Sequence, residues 1–404
     1  MEKCKISLDK TKLFCVVVTL VMILQNGPLN NLPIILLLFP VFFVKDSIKL
    51  RLGIGEKFLL IYALYLFIVT LFHIKSNYNT TYTFNMFFQY LIIYFSIKIQ
   101  FDTLSKKYVL KYFRNVGIVI SFLSIVEAMS GIHIWANILG KTLQSNTSRV
   151  VAIFNHPIVC GCYLVITLIL LLVFPVAKKR LQFVFILVVV SAIVLTQSRS
   201  AWIATLFVFV TLFIKYKKRS FSKEYTIYIL SFIFSVIFIS VIVDYNILGR
   251  ISDFINNRIN GSLDAGEGHI IRIEVILNSI TYWKSNFIEF LLGYGKNFGL
   301  LFMKEHPIIK FGGVFRWDSA IDNQYITIIH ETGFIGLLII VWIYIININR
   351  IIKLPKTNKI QLASSMCIVA NAICLFFFEG FNYPTLVIFY VLFILMSDLV
   401  VASE

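Results

Sequence analysis

The chain has 404 residues, of which 59% are hydrophobic, 16% aromatic and only 14% charged. A soluble domain has roughly 45–50% apolar and about 25% charged residues, so this composition excludes a soluble enzyme, a disordered chain and a DNA-binding module. The formal net charge of +17 is compatible with a membrane protein, because such proteins collect Lys and Arg in their cytoplasmic connections. We therefore expect a polytopic protein of the lipid bilayer that binds no nucleic acid.

Hydrophobic segments recur along the whole sequence. Crossing the hydrocarbon core takes about 20 apolar residues in a helix, or fewer where a segment is short or re-entrant. The sequence predicts an all-α polytopic fold, one integral membrane domain over residues 1–404 with about twelve transmembrane helices. The predicted segments are 13–25, 31–44, 57–74, 84–99, 108–128, 156–176, 181–197, 200–214, 225–243, 321–348, 361–378 and 383–399.

Basic residues concentrate in the N-terminal tail and in every second connection, which together hold 25 of the 37 Lys and Arg residues. By the positive-inside rule these connections and both termini face the cytoplasm. The sequence thus predicts a multi-pass membrane protein with both termini in the cytoplasm. The basic stretches are 3–12, 45–57, 98–114, 178–180, 215–223 and 350–359.

One long connection, residues 244–320, holds eight further basic residues although the alternation places it outside the cell. Long loops are translocated largely regardless of charge, and loops of this length are usually functional or disordered. Within this large extracytoplasmic loop, apolar residues recur at helical spacing, which predicts an amphipathic helix along the outer membrane surface. These residues are Ile270, Ile273, Ile276, Leu277 and Ile280.

Two arginines on the predicted outer side are candidates for binding an anion. Arg199 stands between Ser198 and Ser200 where two apolar segments meet, and an arginine at this depth is costly and tends to be functional. The alternative is an arginine that snorkels to lipid headgroups. Arg272 lies in the outer loop, where a lone arginine is more often solvated, but two guanidinium groups on one side could grip a diphosphate bidentately.

Titratable groups near the loop-to-helix junctions could move a proton. Asp322 lies at the start of segment ten, where a carboxylate could also simply satisfy the helix dipole. His330 and Glu331 follow in the same segment, and a carboxyl at that depth must face protein or water. His156, shortly after Arg149 and just before a proline, could carry a proton or be structural.

Taken together, these motifs resemble the bacterial O-antigen polymerase and O-antigen ligase superfamily. The resemblance rests on Ser198 to Trp202, on the Arg272 helix leading to Gly293-Tyr294-Gly295, and on Asp322 to Tyr325 followed by Glu331 to Gly336. It covers residues 149–345, which we take as the catalytic region. It implies a membrane glycosyltransferase of the C type (GT-C) in the bacterial cytoplasmic (inner) membrane, which uses sugars on undecaprenyl diphosphate at the extracytoplasmic side. We expect no cofactor and no metal, since no compact cluster of carboxylates suggests a divalent ion.

By this resemblance Arg199 and Arg272 would bind the diphosphate and stabilise its charge as the anomeric bond breaks. Arg149, His156 and Tyr325 would complete the substrate-binding set. In the ligase pattern a histidine precedes the asparagine of the loop-to-helix junction, whereas this chain has Asp322 there. Asp322 could accept a proton from a sugar hydroxyl, with His330, His306 or Glu331 as alternative acid/base groups.

The leading hypothesis is therefore a repeat-unit polymerase for a surface polysaccharide of the lipopolysaccharide or capsule type. Its substrates would be lipid-linked oligosaccharides, with a flippase and a chain-length regulator as possible partner proteins. A ligase that moves finished glycan is the alternative within the superfamily. A flippase for lipid-linked oligosaccharide is the alternative from another class, but a transporter would place its polar residues near the bilayer midplane. A non-catalytic scaffold would explain neither Arg199 nor the basic outer loop.

Overall fold

The computed structural model describes residues 2–24, 32–43, 52–73, 80–133, 137, 149–216, 267–310, 315–355 and 357–399. Helices make up most of these residues. In chain order they are α1 (Glu2–Leu24), a 3₁₀ helix (Leu32–Phe43), α2 (Ile54–Phe72), α3 (Thr80–Phe101), α4 (Lys106–Ser130), α5 (Pro157–Val173), α6 (Lys179–Leu195), α7 (Arg199–Tyr216), α8 (Glu267–Ser285), α9 (Phe287–Leu292), α10 (Phe298–Glu305), α11 (Gln324–Lys353), α12 (Lys359–Leu375), a 3₁₀ turn (Gly380–Asn382) and α13 (Pro384–Ser397).

Each predicted segment falls on one of these helices except 225–243, which lies outside the described residues. Within the described part of the chain, three helices, α2, α4 and α11, are long and apolar enough to cross a membrane by length and composition. Several other apolar helices are shorter, including α5, α12 and α13. The fold is therefore consistent with a polytopic membrane protein, and the number of twelve spans stays a prediction.

A short hairpin departs from the all-α expectation within the described residues. Strands β1 (Ile308–Lys310) and β2 (Phe315–Trp317) pair antiparallel, with Ile309 opposite Arg316. Ile308 is buried in a small apolar cluster with Phe302 and Ile321. Each strand has only three residues. An alternation of apolar and polar residues over so short a stretch cannot be recognised in the sequence.

Helix α5 lies at the centre of the bundle. Almost all of its residues are buried, and it packs against α4, α6, α7 and α12. A helix that is apolar on every face is expected to be surrounded by protein or lipid, and here the neighbouring helices surround it. The candidate residues at its N-terminal end are therefore attached to a helix that is buried on almost every face.

Basic residues predicted to be cytoplasmic come together where α2 begins. Lys98 Nζ lies 2.7 Å from the Glu56 carboxylate, and Asp398, which forms an ion pair with Arg350, accepts a hydrogen bond from the Glu56 amide. At the other end of α2, the Thr70 hydroxyl accepts from the backbone amide of the outer-loop residue 296 at 2.9 Å. The basic end and the outer-loop end are thus separated by the 19 residues of α2, or about 28 Å at about 1.5 Å per residue.

Helix α11 is broken at Gly333, which has φ 64° and ψ −174°. The carbonyls of His330 and Glu331 accept hydrogen bonds from the amides of Tyr294 at 2.9 Å and Gly295 at 2.8 Å. Backbone groups freed within a membrane must find partners in the protein. The Gly-Tyr-Gly segment supplies those partners, so the outer loop completes the backbone of a membrane helix.

We expect Gly333→Ala to lower the stability of the protein by roughly 3 kcal/mol or more, because two penalties add. The positive φ disfavours an L side chain, and a Cβ atom would lie 2.1 Å from the Leu291 carbonyl oxygen. Gly131→Ala is the matched control: its φ is +66° with nothing within 4 Å of a Cβ, so it should lose only about 1–2 kcal/mol. Thermal unfolding in detergent measures both, and equal shifts would contradict the packing argument.

Candidate active site

The outer-loop helix α8 carries Arg272 and packs against the protein on one side. Ile271, Val275 and Ser279 are buried, whereas Ile273 and Leu277 are more than half exposed. Ile273 and Leu277, two of the apolar residues whose spacing predicted the helix, thus form a face that the described parts of the chain leave exposed. Its orientation along the membrane surface stays a prediction.

Arg272 and Asp322 form an ion pair where the outer loop meets α11. Arg272 Nη2 lies 3.2 Å from Asp322 Oδ2, with the two side chains 31% and 29% exposed. Arg272 Nε is buried and has no hydrogen-bond partner among the described residues. About a third of each side chain is therefore exposed. The Nε–H group of Arg272 is available to a ligand, as far as the described residues show.

The junction fixes the conformation of Asp322. Asn323, not Asp322, caps α11, since its side chain accepts hydrogen bonds from the amides of Tyr325 at 2.9 Å and Ile326 at 3.2 Å. Asp322 has a left-handed φ of 55°. Burial raises the pKa of Asp322 above its ordinary value, while the charge and hydrogen bond of Arg272 oppose that rise. A carboxylate with a raised pKa is a stronger proton acceptor. Because Asn323 already caps the helix, Asp322 is not needed for that role.

A second segment, residues 149–156, reaches the same region. Glu127 holds it, because its carboxylate accepts hydrogen bonds from the amides of Val151 at 3.0 Å and Ala152 at 2.8 Å. The Arg149 guanidinium donates to the carbonyls of Thr196 at 3.1 Å and Gln197 at 3.3 Å. Arg149 is thus anchored at the end of α6.

His156 lies at the start of α5 and stacks on Phe378, with ring centroids 4.5 Å apart. Its Nδ1 accepts a hydrogen bond from the Ile158 amide at 3.2 Å. Burial, together with the charges of Arg149 and Arg272, lowers the pKa of His156 to about 4. His156 is therefore neutral at pH 7, and it is close enough to feel the charge of both arginines.

Arg199 is the first residue of α7, and its side chain is exposed. The flanking hydroxyls of Ser198 and Ser200 are buried and lie 2.9 Å apart. Arg199 and Arg272 are both donor-only cations, so an anion bound between them would be needed to link them. The structure thus links Arg272 directly to Asp322, and the grip of two arginines on one diphosphate stays a prediction.

Three of the other candidates are engaged in packing. The Tyr325 hydroxyl donates to the Ala372 carbonyl at 2.7 Å. His330 is buried among aromatic rings, with Nε2 2.9 Å from the Ser279 hydroxyl. Glu331 accepts from the Asn297 amide at 2.9 Å and from a buried lysine. Substrate-binding or acid/base roles for these residues stay predictions.

The buried lysine is Lys296, which our sequence analysis did not include among the candidate residues. Its Nζ lies 3.0 and 3.1 Å from the two Glu331 oxygens and 3.1 Å from Asn382 Oδ1, and its side chain is 2% exposed. The available clue was a lysine directly after Gly-Tyr-Gly, together with a carboxylate, Glu331, deep in segment ten. Lys296, Glu331 and Asn382 join the outer loop, α11 and the turn before α13.

We expect Lys296→Met to destabilise the protein by roughly 3–5 kcal/mol, because the buried Glu331 charge would lose its partner. The double variant Lys296→Met/Glu331→Gln should recover at least half of that loss, since Gln carries no charge and keeps an acceptor for the Asn297 amide. Lys12→Met is the control, as the Lys12–Asp9 pair is exposed and is worth less than about 1 kcal/mol. Unfolding midpoints measure the three changes, and additive losses in the double variant would contradict the pairing argument.

Glu379, also absent from the predicted site, connects this buried pair to the Asp322 junction. Its Oε1 accepts from the Ile321 amide at 2.8 Å and the Thr327 hydroxyl at 3.2 Å, and its Oε2 accepts from Asn382 Nδ2 at 2.8 Å. Burial raises the pKa of Glu379 to about 7. The clue in the sequence was a single acid inside an apolar stretch.

An apolar cavity of about 390 Å³ lies between α2, α3, α11 and α13. Lys296, Gln324 and Glu331 contribute polar groups to its wall, and aliphatic and aromatic side chains form most of the rest. Such a lining suits hydrocarbon better than sugar. Within the described ranges, no three His, Cys, Asp or Glu side chains are grouped so that they could hold a metal ion.

Comparison with known families bears on the segment that carries most of these residues. Residues 183–341 match the O-antigen ligase family. The resemblance expected from the sequence motifs is thereby confirmed. No curated protein gave a significant match to the chain.

The O-antigen ligase match includes Arg199, Arg272, Asp322 and Glu331, whereas Glu379 lies outside it. With the apolar helices, it supports a membrane glycan transferase of the O-antigen polymerase and ligase type. It does not distinguish a polymerase from a ligase.

Proposed function

We propose that the protein is a surface-polysaccharide polymerase that joins oligosaccharide repeat units carried on polyprenyl diphosphate. The observation that carries this proposal is the Arg272–Asp322 pair, which lies at the start of α11 within the segment that matches O-antigen ligases. The Arg272 guanidinium can bind a diphosphate, and the Asp322 carboxylate can accept a proton from a sugar hydroxyl.

The reaction joins two lipid-linked substrates. A non-reducing-end hydroxyl of the incoming repeat unit attacks the anomeric carbon of the growing chain. The bond between that carbon and the diphosphate oxygen breaks, and polyprenyl diphosphate leaves with the electron pair, so the configuration inverts. Asp322 takes the proton of the attacking hydroxyl. The oxygen of that hydroxyl becomes the new glycosidic oxygen.

Arg272 would neutralise the leaving diphosphate. Its Nε is buried without a described partner, so a phosphate oxygen would complete its hydrogen bonding. When Nη2 turns to the phosphate as well, the Asp322 carboxylate loses that bond and becomes available to the hydroxyl. Arg149 and Arg199 would add positive charge from the ends of α6 and α7, and neutral His156 could donate to a sugar or phosphate oxygen.

The position of the site along the helices supports an extracytoplasmic reaction. Lys98 and Arg350 lie at one end of the bundle, and basic residues collect on the cytoplasmic side. The Arg272–Asp322 pair belongs to the outer loop, which is attached at the other end of α2. On the outer side, undecaprenyl diphosphate or a similar carrier would bring the sugar, a flippase would deliver it, and a chain-length regulator could act as a partner protein.

A ligase-type transferase is the second candidate, because the family that matches is described as O-antigen ligase. The aspartate at position 322, where the ligase pattern has a histidine, favours the polymerase. In that case the acceptor is another lipid-linked repeat unit rather than a different molecule.

Glycan from a deletion strain tests the proposal. Gel profiles should show single repeat units on the lipid carrier, and expression of the intact chain should restore long polymer. Long polymer that accumulates on the carrier would instead identify a ligase. Repeat units confined to the inner leaflet would identify a flippase, and an unchanged profile would overturn the proposed function.

A further inference from the structure

The turn between α12 and α13 contacts three segments that carry candidate residues. Phe378 stacks on His156, with ring centroids 4.5 Å apart. Glu379 accepts the hydrogen bond of the Ile321 amide, and Asn382 accepts from the buried Lys296. The sequence places this turn between two apolar helices, but in the structure it joins three separate segments of the chain.

We infer that Glu379 is a positioning residue that holds the Asp322 junction in its reactive conformation. The inference rests on the proposed function, because it assigns Glu379 a task in the same reaction. The Ile321 amide, to which Glu379 binds, immediately precedes Asp322, and the Thr327 hydroxyl lies on the first turns of α11. Glu379 therefore ties the residue before Asp322 to the helix after it.

The backbone of Asp322 needs such a support. Its φ of 55° is a region that residues with a side chain adopt at a cost, and such conformations persist where surrounding contacts fix them. Asn323 fixes the side after Asp322 by capping α11. Glu379 fixes the side before it, so Asp322 is held from both directions.

The network around Glu379 fixes its own orientation. Asn382 donates to Glu379 Oε2 through Nδ2 and accepts from Lys296 Nζ through Oδ1. Since Lys296 can only donate, the amide of Asn382 must present its NH₂ group to Glu379. The buried Lys296–Glu331 pair thus orients Asn382, which in turn orients the carboxylate that binds the junction.

The experiment measures elongation of the polysaccharide by the full-length protein, purified in detergent and placed in lipid vesicles. The substrate is the polyprenyl-diphosphate-linked oligosaccharide extracted from the deletion strain. Glu379→Ala should lower kcat roughly 100-fold, as expected for a reacting group displaced by about 1 Å, with KM changed by less than about threefold because Arg272 is untouched. Glu379→Gln should keep about a fifth of the native kcat at pH 8, since its amide oxygen still accepts from the Ile321 amide but the charge that strengthens this bond is lost.

The pH profile separates positioning from simple loss of folding. The ionisable groups that act on Glu379 are Asp322, Glu331 and Lys296. As Glu379 ionises near pH 7, its hydrogen bonds become charge-assisted and about twice as strong, so kcat of the native protein should rise roughly fivefold from pH 6 to pH 8. In Glu379→Gln this rise should be absent, with kcat staying near the value of the native protein at pH 6.

Glu56→Gln is the matched control, because Glu56 is also a buried carboxylate with several donors but lies at the other end of α2. It should lower the unfolding temperature without changing kcat or the pH profile. A native-like kcat in Glu379→Ala, or the same pH rise in Glu379→Gln, overturns the positioning role while the polymerase assignment stands. If the native chain itself does not elongate the extracted substrate, the proposed function fails first.

Discussion

Replacing Arg272 with alanine is expected to reduce polymer formation at least 100-fold. Loss of a charged group that stabilises a developing anion costs about 10²–10³ in rate, and Arg272 is the arginine in contact with the candidate base. Cells with Arg272→Ala should therefore accumulate single repeat units on the lipid carrier. The ratio of polymer to single units on a glycan gel, at equal protein level in the membrane, measures the effect.

Arg272→Lys and Lys284→Ala define what the arginine supplies. Lysine keeps the charge but not the planar fork of donors, so Arg272→Lys should retain about a tenth of the activity if the diphosphate is bound bidentately. Lys284 is an exposed basic residue on the same helix α8, and Lys284→Ala should leave polymer unchanged. Equal losses in Arg272→Ala and Lys284→Ala would mean that general positive charge, not this guanidinium, is required.

Asp322→Asn is expected to lower kcat by about 10²–10⁴, the usual contribution of a general base. Asparagine tolerates the left-handed φ of this position, and it keeps an oxygen near Arg272, so the fold should be retained. The change removes the ability to accept a proton at the pH of the reaction. Initial rates with the extracted lipid-linked substrate measure kcat and KM separately.

The acidic limb of the pH profile gives an independent check on Asp322. Burial raises the pKa of Asp322, so activity should fall as the pH drops through that raised value and the carboxylate gains a proton. Asp318→Asn, which removes an acid four residues earlier, should keep both the rate and this limb. If Asp322→Asn retains the full rate, the base is another group, and His330, His306 and Glu331 are then the candidates to replace.

The motifs of the sequence were sufficient to predict helices in the described segments and to select Arg272 and Asp322 as candidate residues, but they did not predict the ion pair between these two. Hydrophobic length gives the helices directly, because the bilayer sets a minimum number of apolar residues. Arg272 and Asp322 are 50 positions apart, and the predicted topology puts both on the same side of the membrane. A shared side permits their contact, but tertiary packing brings it about.

The sequence could not predict which residues support that pair. Glu379 and Lys296 act through the turns that bring α12, α13 and the outer loop together, and the contacts between these elements depend on tertiary packing. The break at Gly333 was hidden as well, because a glycine inside an apolar segment does not reveal a positive φ. Glu379 binds the Ile321 amide, and the broken helix α11 binds the amides of Tyr294 and Gly295. Each of these amides belongs to another segment of the chain, and the sequence does not give its position.

The turn that carries Glu379 and Asn382 follows, in chain order, every residue that it contacts in the candidate site. Thr70, Lys296 and Glu331 are synthesised before Asn382, and the Ile321 amide before Glu379. During synthesis, Lys296 and the Ile321 amide therefore precede the turn that supplies these two partners. The proposed support of Asp322 by Glu379 can form only after α12 has been made.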